Sequence, residues 1–367
     1  VNSKTYLSHY FWIIASLTVF ATVCVSCSDK EPEKTEANKS SIISGDSKTT
    51  SRKLSTGFEG SSPSQPGQSA NGISGAGKPI GVGKILTGTE PILSCKAPSE
   101  YLFLNSRHLP NAVVVVTLPL DYSLRTDKSY PLVIAFGGAG ECARPPREGA
   151  MAWLGYYRMD DAIHALTSNH LKAADFKGLI TKEKLVEFNQ NLKRHPFAGV
   201  IVACPYSPLI TTLPEFENTG YENFVIEELV PLLKRRYRVA QGSVGVDGVS
   251  MGGARAMLFG LKYPEAFTSI GSIQGAFGPF LETYRGLIRK NKNKLKDHSI
   301  QLITSDGDSM APSVEKMKNL LNDEGIPVTY MKLTGPHDYI FNQGPGSIAL
   351  LMFHNRPLRQ TTGGPKK

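Results

Sequence analysis

Gly248-Val249-Ser250-Met251-Gly252-Gly253 follows the apolar run Ser243-Val244-Gly245-Val246 and precedes the helical pattern Ala254-Arg255-Ala256-Met257-Leu258-Phe259. A Gly-x-Ser-x-Gly between a strand and a helix predicts a sharp turn that leaves the serine hydroxyl exposed at the strand's end. Glycines on both sides permit strained dihedrals and close approach of neighbouring backbone.

The flanking sequence repeats the same strand-to-helix step. Ala112–Thr117, Pro131–Phe136, Gly199–Ala203, Ser243–Val249, Thr268–Ile273, Ile300–Thr304 and Val328–Leu333 read as strands, rich in β-branched residues and mostly without a clear period of two. Helical patterns lie between them at Trp153–Ala165, Tyr221–Tyr237, Ser313–Asn322 and Gln343–His354. Strands alternating with helices predict an α/β fold with a mostly parallel central sheet and helices on both faces. No internal repeat is visible.

The ends of the chain differ from this core. Phe11 to Val25 is an apolar run behind Lys4, short for a membrane span and suited to a signal peptide. Val25-Ser26-Cys27 then resembles a bacterial lipobox, with Cys27 as the lipid-modified residue, although Cys24 stands where that pattern usually has Leu. Ordinary signal cleavage and an uncleaved anchor stay open. The expected organisation is a signal or lipobox-like segment at 1–27, a Ser/Thr/Gly/Pro-rich tether at 28–90, a catalytic domain at 91–358 and a polar tail at 359–367. The expected location is a bacterial cell envelope, with an outer-membrane lipoprotein favoured, or the exterior. Membrane contact is expected only through the N-terminal lipid or signal anchor.

The chain has 367 residues, 40% of them hydrophobic and 20% charged, with a formal net charge of +9. Much of the excess lies in Lys234–Arg238 and Arg285–Lys296. Neither stretch interleaves stacking aromatics or matches a binding motif, so both read as solvated helix faces and no nucleic-acid partner is expected. Weak attraction to an anionic surface stays open. Of five cysteines, Cys95, Cys142 and Cys204 lie beyond the targeting segment. Cys204 reads as a buried strand-end thiol, and a Cys95–Cys142 bridge is compatible with an oxidising compartment. No Cys/His cluster has zinc spacing, so no metal is expected.

Serine is a weak nucleophile and needs a base and an orienting acid. In chain order after Ser250, Ser305-Asp306-Gly307-Asp308-Ser309 and Gly335-Pro336-His337-Asp338-Tyr339 each follow a strand, where open α/β sheets place their sites. His337 is the candidate base. Asp308 and Asp306, on one loop, are both candidates for the acid, the other then shaping the turn. His354, in the closing helix, and His164, His170 and His195, which precede the elbow, read as structural or exposed. An oxyanion needs preorganised donors. The candidates are the N–H of Met251 and one from Phe136-Gly137-Gly138-Ala139-Gly140, with Gly138 chosen and Ala139 in reserve. That glycine loop lacks the Lys-Ser/Thr of a phosphate-binding loop. The polar, basic stretch Phe277–Asp297 is expected as a cap over the site.

Four stretches together resemble the esterase D and feruloyl-esterase-like branch of the α/β-hydrolases, across most of Ala112 to Phe353. They are Thr117–Tyr122 with Tyr130–Ile134, Tyr221–Phe224 with Glu227–Pro231 and Arg236-Tyr237, Gly248–Gly253, and Gly335–Tyr339. The resemblance implies the α/β-hydrolase fold and hydrolysis of a carboxylic ester without metal or organic cofactor. It places the acid at Asp308 and the loop donor at Gly138, though Phe136-Gly137 stands where the family has His-Gly. The expected substrate is a small-molecule or polysaccharide-linked ester. An acyltransferase on the same fold, a peptidase using the same triad, or a non-catalytic binding module are the alternatives.

Overall fold

The computed structural model describes residues 85–209 and 219–355. The expected signal segment at 1–27, most of the tether and the tail at 359–367 lie outside the described residues.

The strands are β1 (Leu86–Pro91), β2 (Ser99–Leu104), β3 (Ala112–Thr117), β4 (Tyr130–Phe136), β5 (Ile201–Pro205), β6 (Val239–Gly248), β7 (Ser269–Ile273), β8 (Ser299–Gly307) and β9 (Thr329–Pro336). They form one nine-stranded sheet in the order β1-β2-β3-β5-β4-β6-β7-β8-β9. The pairings up to β3–β5 are antiparallel, and all those from β5–β4 to β8–β9 are parallel. The strand order reverses around β4, which lies between β5 and β6. The crevice for a ligand in such a sheet opens at that reversal, beyond the strands' carboxyl ends. The loop after β4 and the turn after β6 therefore flank it.

The helices are α1 (Ala139–Cys142), α2 (Met159–Thr167), α3 (Lys182–Arg194), α4 (221–236), α5 (Met251–Lys262), α6 (Leu281–Leu295), α7 (Ala311–Asp323) and α8 (Ser347–His354). Every residue of β3 and β5 is buried, as expected of β-branched strands covered on both faces. On one face Val244, Val246 and Ile270 join a core with Leu229, Leu233, Met257 and Ile288 from α4, α5 and α6. On the other, Val133, Ala135 and Val202 pack with Ile163, Leu192 and Leu350 from α2, α3 and α8. Each Val, Leu, Ile or Met side chain among these contributes about 1.5–3 kcal/mol on leaving water.

Several expectations change. The stretch 153–165 is not one helix: Ala152–Tyr156 forms a wide π turn, and Arg158 at φ 52° separates it from α2. A left-handed residue cannot continue a right-handed helix. The wide turn lets the Trp153 indole N–H donate to the Phe136 carbonyl at 3.1 Å. The stretch 281–295 is not a cap. Tyr284, Ile288 and Leu295 of α6 are buried in the core, and the Tyr284 hydroxyl donates to the Ala254 carbonyl at 3.0 Å. Its basic residues face outward, where Arg289 pairs with Glu324 and Lys294 with Glu265.

All of β1 except Pro91 falls in the stretch read as tether. Cys95, Cys142 and Cys204 are all free thiols, and no Cys95–Cys142 bridge forms. Cys95 Sγ donates instead to the Ile92 and Ala97 carbonyls at 3.1 and 3.2 Å. Cys204 is buried as expected, and burial pushes its thiol up to about 12.

Candidate active site

Ser250 caps α5 with φ 56° and ψ −118°, outside the ordinary allowed regions for a side-chain-bearing residue. Such strain persists only where the surroundings over-determine it. Here the Ser250 N–H donates to the Ile273 carbonyl at 2.9 Å, and the Ser250 carbonyl accepts from Ala254 and Ala276, both at 3.1 Å. The glycines are required by close approach. A Cβ on Gly248 would lie 2.4 Å from the Gly252 backbone, and one on Gly252 would lie 2.4 Å from the Gly137 carbonyl oxygen. The turn after β6 and the loop after β4 thus touch backbone to backbone.

The structure brings Ser250, His337 and Asp308 together from three separate strand ends. Ser250 Oγ lies 3.0 Å from His337 Nε2, and His337 Nδ1 lies 2.7 Å from Asp308 Oδ1. With the imidazole proton on Nδ1, the serine hydroxyl donates to Nε2 and Nδ1–H donates to the carboxylate. Asp308 is buried and held further by Thr304 Oγ1 at 2.6 Å and the Met310 N–H at 2.8 Å. A carboxylate fixed by three donors has little freedom to leave the ring. Asp306 is exposed and accepts from the Gly335 N–H at 3.0 Å, which shapes the loop carrying His337.

Met251 is the first residue of α5, where the N–H has no intrahelical acceptor. Gly138 is corrected. Its N–H is already engaged, 3.1 Å from Glu141 Oε2 and 3.0 Å from the Tyr157 hydroxyl oxygen. The next N–H on this loop is that of Ala139, the first position of α1. Phe136, where the resemblance expects histidine, buries its ring against Tyr221 and Phe259, and its carbonyl accepts from the Trp153 indole.

Gln274, Glu141 and Tyr157 have no motif to announce them, and Tyr339 closes the histidine stretch with no role assigned to it. Gln274 is fully buried at φ 50°, and its Nε2 donates to Ser305 Oγ at 2.8 Å and to the Pro336 carbonyl at 3.0 Å. It ties the end of β7 to β8 and to the residue preceding His337. Its position directly after a strand was the one available signal. Arg255, one turn along α5 and buried, contacts Ser207 and lies 3.8 Å from Cys142 Sγ.

Among the described residues no group of three or more His, Cys, Asp or Glu side chains could hold a metal ion. A cavity of about 430 Å³ lined by Lys96, Asp161, His164, His170 and Lys172, among others, contains none of the triad residues.

Residues 214–310 match the family model described as "Putative esterase". That span includes the elbow and Asp308 and stops short of His337. Among solved structures, a ferulic acid esterase superposes with a TM-score of 0.53 at 16% identity, covering 73% of this chain and 98% of that one. A fluorophosphonate-binding serine hydrolase of Staphylococcus aureus superposes with a TM-score of 0.50 at 12% identity, covering 71% and 99%. Likeness at such identity shows the shared fold. No curated protein matches the chain. Over residues 214–310, elbow included, the chain is similar to that esterase family, and its sheet is the fold that these solved structures share.

Proposed function

We propose that the chain hydrolyses carboxylic esters through an acyl-enzyme on Ser250, with His337 as acid and base and Asp308 as its orienter. The hydrogen-bonded chain Ser250–His337–Asp308 at a strained turn carries the reading. His337 Nε2 takes the hydroxyl proton as Ser250 Oγ attacks the ester carbonyl. The same nitrogen returns the proton to the departing alkoxide. Water then attacks the acyl-enzyme by the reverse sequence, and the carboxylic acid leaves. Asp308 holds the ring in the Nδ1–H tautomer and stabilises the transient imidazolium. The N–H groups of Met251 and Ala139 are the donors for the oxyanion, each contributing about 3 kcal/mol in sites of this type.

The N-terminal sequence supports an enzyme held outside the cytoplasm by Cys27 or by a signal anchor, acting on acyl groups carried by polysaccharide or on small esters. The likeness to a ferulic acid esterase makes feruloyl esters the first to try beside acetyl esters. The test is a fluorophosphonate adduct located by peptide mass spectrometry, together with p-nitrophenyl acetate turnover. An adduct on Ser250 and loss of turnover in Ser250→Ala are expected. A folded protein with neither adduct nor Ser250-dependent turnover would be a binding module.

A further inference from the structure

Glu141 is a carboxylate buried to 3% exposure, and among the described residues no Lys, Arg or His pairs with it. A buried carboxylate costs several kcal/mol unless donors surround it. Here they come from three separate segments. Gly138, on the loop after β4, donates its N–H to Oε2 at 3.1 Å. Tyr157, at the end of the wide turn before α2, donates its hydroxyl to the same oxygen. Tyr339, two residues past His337, donates its hydroxyl to Oε1 at 2.6 Å. Burial and the neighbouring Glu141 charge push both phenols up, so both remain O–H donors.

The arrangement is tight on every side. A Cβ on Gly140 would lie 3.2 Å from the Tyr339 hydroxyl, and one on Gly138 would lie 3.2 Å from the Tyr157 hydroxyl and 3.3 Å from Glu141 Oε2. Arg144 stacks on Tyr156 with its guanidinium carbon 4.5 Å from the ring centroid, and Tyr156 and Tyr339 lie 6.0 Å apart. An apolar residue at 141 would fill space at lower desolvation cost. What it would lack is a directional link between the loop that offers oxyanion donors and the loop that carries the base.

We infer that Glu141 is a positioning residue for the esterase reaction, one that holds the donor loop after β4 in register with the His337 loop through Tyr339. This rests on the triad reading above. The residue touches no reacting atom. It sets the distance between the N–H groups that receive the oxyanion and the imidazole that moves the proton. Misplacement of such groups by about 1 Å costs about 100-fold.

The test is steady-state kinetics on p-nitrophenyl acetate with the full chain, E141Q, Y339F and the double variant, alongside thermal melting. A neutral amide at 141 keeps the size but offers a weaker acceptor oxygen and an NH2 group, with two N–H donors, where only acceptors are needed. The expected result is a fall in kcat of about 100-fold for E141Q, with KM changed by less than about threefold. Y339F is expected to lose less, and the double variant no more than E141Q alone, since one linkage is broken once. A double variant whose fold-loss in kcat equals the product of the two single losses, or wild-type kcat in both singles beside a lowered melting temperature, would reduce Glu141 to a packing role. If E141Q does not fold, Y339F carries the same test, and wild-type kcat there overturns the linkage. A wild-type chain without Ser250-dependent turnover defeats the triad reading and this inference with it. Turnover that E141Q leaves intact defeats this inference alone.

Discussion

Two serine–histidine–aspartate trios occur among the described residues, and their surroundings differ. At the rim, Ser250, His337 and Asp308 meet beyond the strand ends. Within the sheet, His354 of α8 lies 2.9 Å from Ser269 Oγ through Nδ1 and 3.1 Å from Asp247 Oδ2 through Nε2. The residue types are the same, and the ring is turned round. The differences lie in what surrounds them. Ser269 opens a regular strand, whereas Ser250 occupies a strained turn beside helix-start N–H groups. The His354 and Asp247 side chains are each 1% exposed, against 13% for His337. A Cβ on Gly245 would lie 2.3 Å from His354 Nδ1, and one on Gly271 would lie 1.9 Å from Asp247 Oδ2. The interior trio fills its space completely and leaves none for a carbonyl. A hydrogen-bonded trio is therefore not a site until it has strain, donors and room.

The largest expected effect separates the two serines. Ser250→Ala is expected to lower kcat by about a millionfold, as nucleophile removal does in comparable triads, with little change in melting temperature. Ser269→Ala is expected to leave kcat unaltered. Ester turnover per folded molecule decides, and comparable losses in both variants would erase the distinction. The acids come next. Asp308→Asn keeps the shape but favours the wrong tautomer of His337, for an expected loss in kcat of about 10⁴-fold. Retention of more than a tenth of the activity would show that another group orients the ring.

The histidines diverge in kind rather than degree. His337→Ala is expected to abolish turnover while the protein melts near the wild-type temperature. His354→Ala strands Asp247 in the core without its partner and opens a cavity, so it is expected to cost about 3 kcal/mol of stability. Its kcat per folded molecule is expected within about twofold of wild type. Denaturant unfolding followed by active-site titration separates the two outcomes. Lost turnover in a His354→Ala protein of normal stability would move the interior trio into the mechanism.

The rim was far more legible in sequence than the interior. The elbow carries its meaning locally, because the glycines at 248 and 252 and the flanking strand and helix all lie within one short stretch. Chain order then led to His337, whereas the residues alone left Asp306 and Asp308 open and only the resemblance pointed to Asp308. The interior trio has no such signature. Asp247 sits unremarked in a strand, and only the packing of α8 on β6 and β7 gives it a partner. Glu141 and Gln274 were silent for the same reason: each bonds to segments far along the chain. Gly138 failed because a side chain three residues on folds back onto its N–H. The break at Arg158 followed from the reach of Trp153 and Tyr157 toward the site, a tertiary demand that overrides helical periodicity. β1 was missed because Leu86-Thr87-Gly88-Thr89-Glu90-Pro91 is largely exposed at the sheet's edge and has no apolar face to display.

The smallest expected effect tests what burial does to Asp247. Desolvation pushes this carboxyl above its ordinary 3.8, and the His354 contact opposes that shift only in part. The folded state therefore holds the proton more tightly than the unfolded chain does. Between the unfolded value and the higher folded value the native protein binds more protons, so the contribution of this group to stability is full below pH 3.8 and declines as pH rises through the folded value. Asp247→Asn cannot ionise and removes that slope. Measured by calorimetry from about pH 4 upward, below the ordinary imidazole range near 6.5, the melting temperature of the wild type is expected to lose ground against the variant as pH rises. A difference that stays constant, or that grows in favour of the wild type, would mean that the histidine's attraction outweighs burial and that the interior trio is an ion pair held charged throughout.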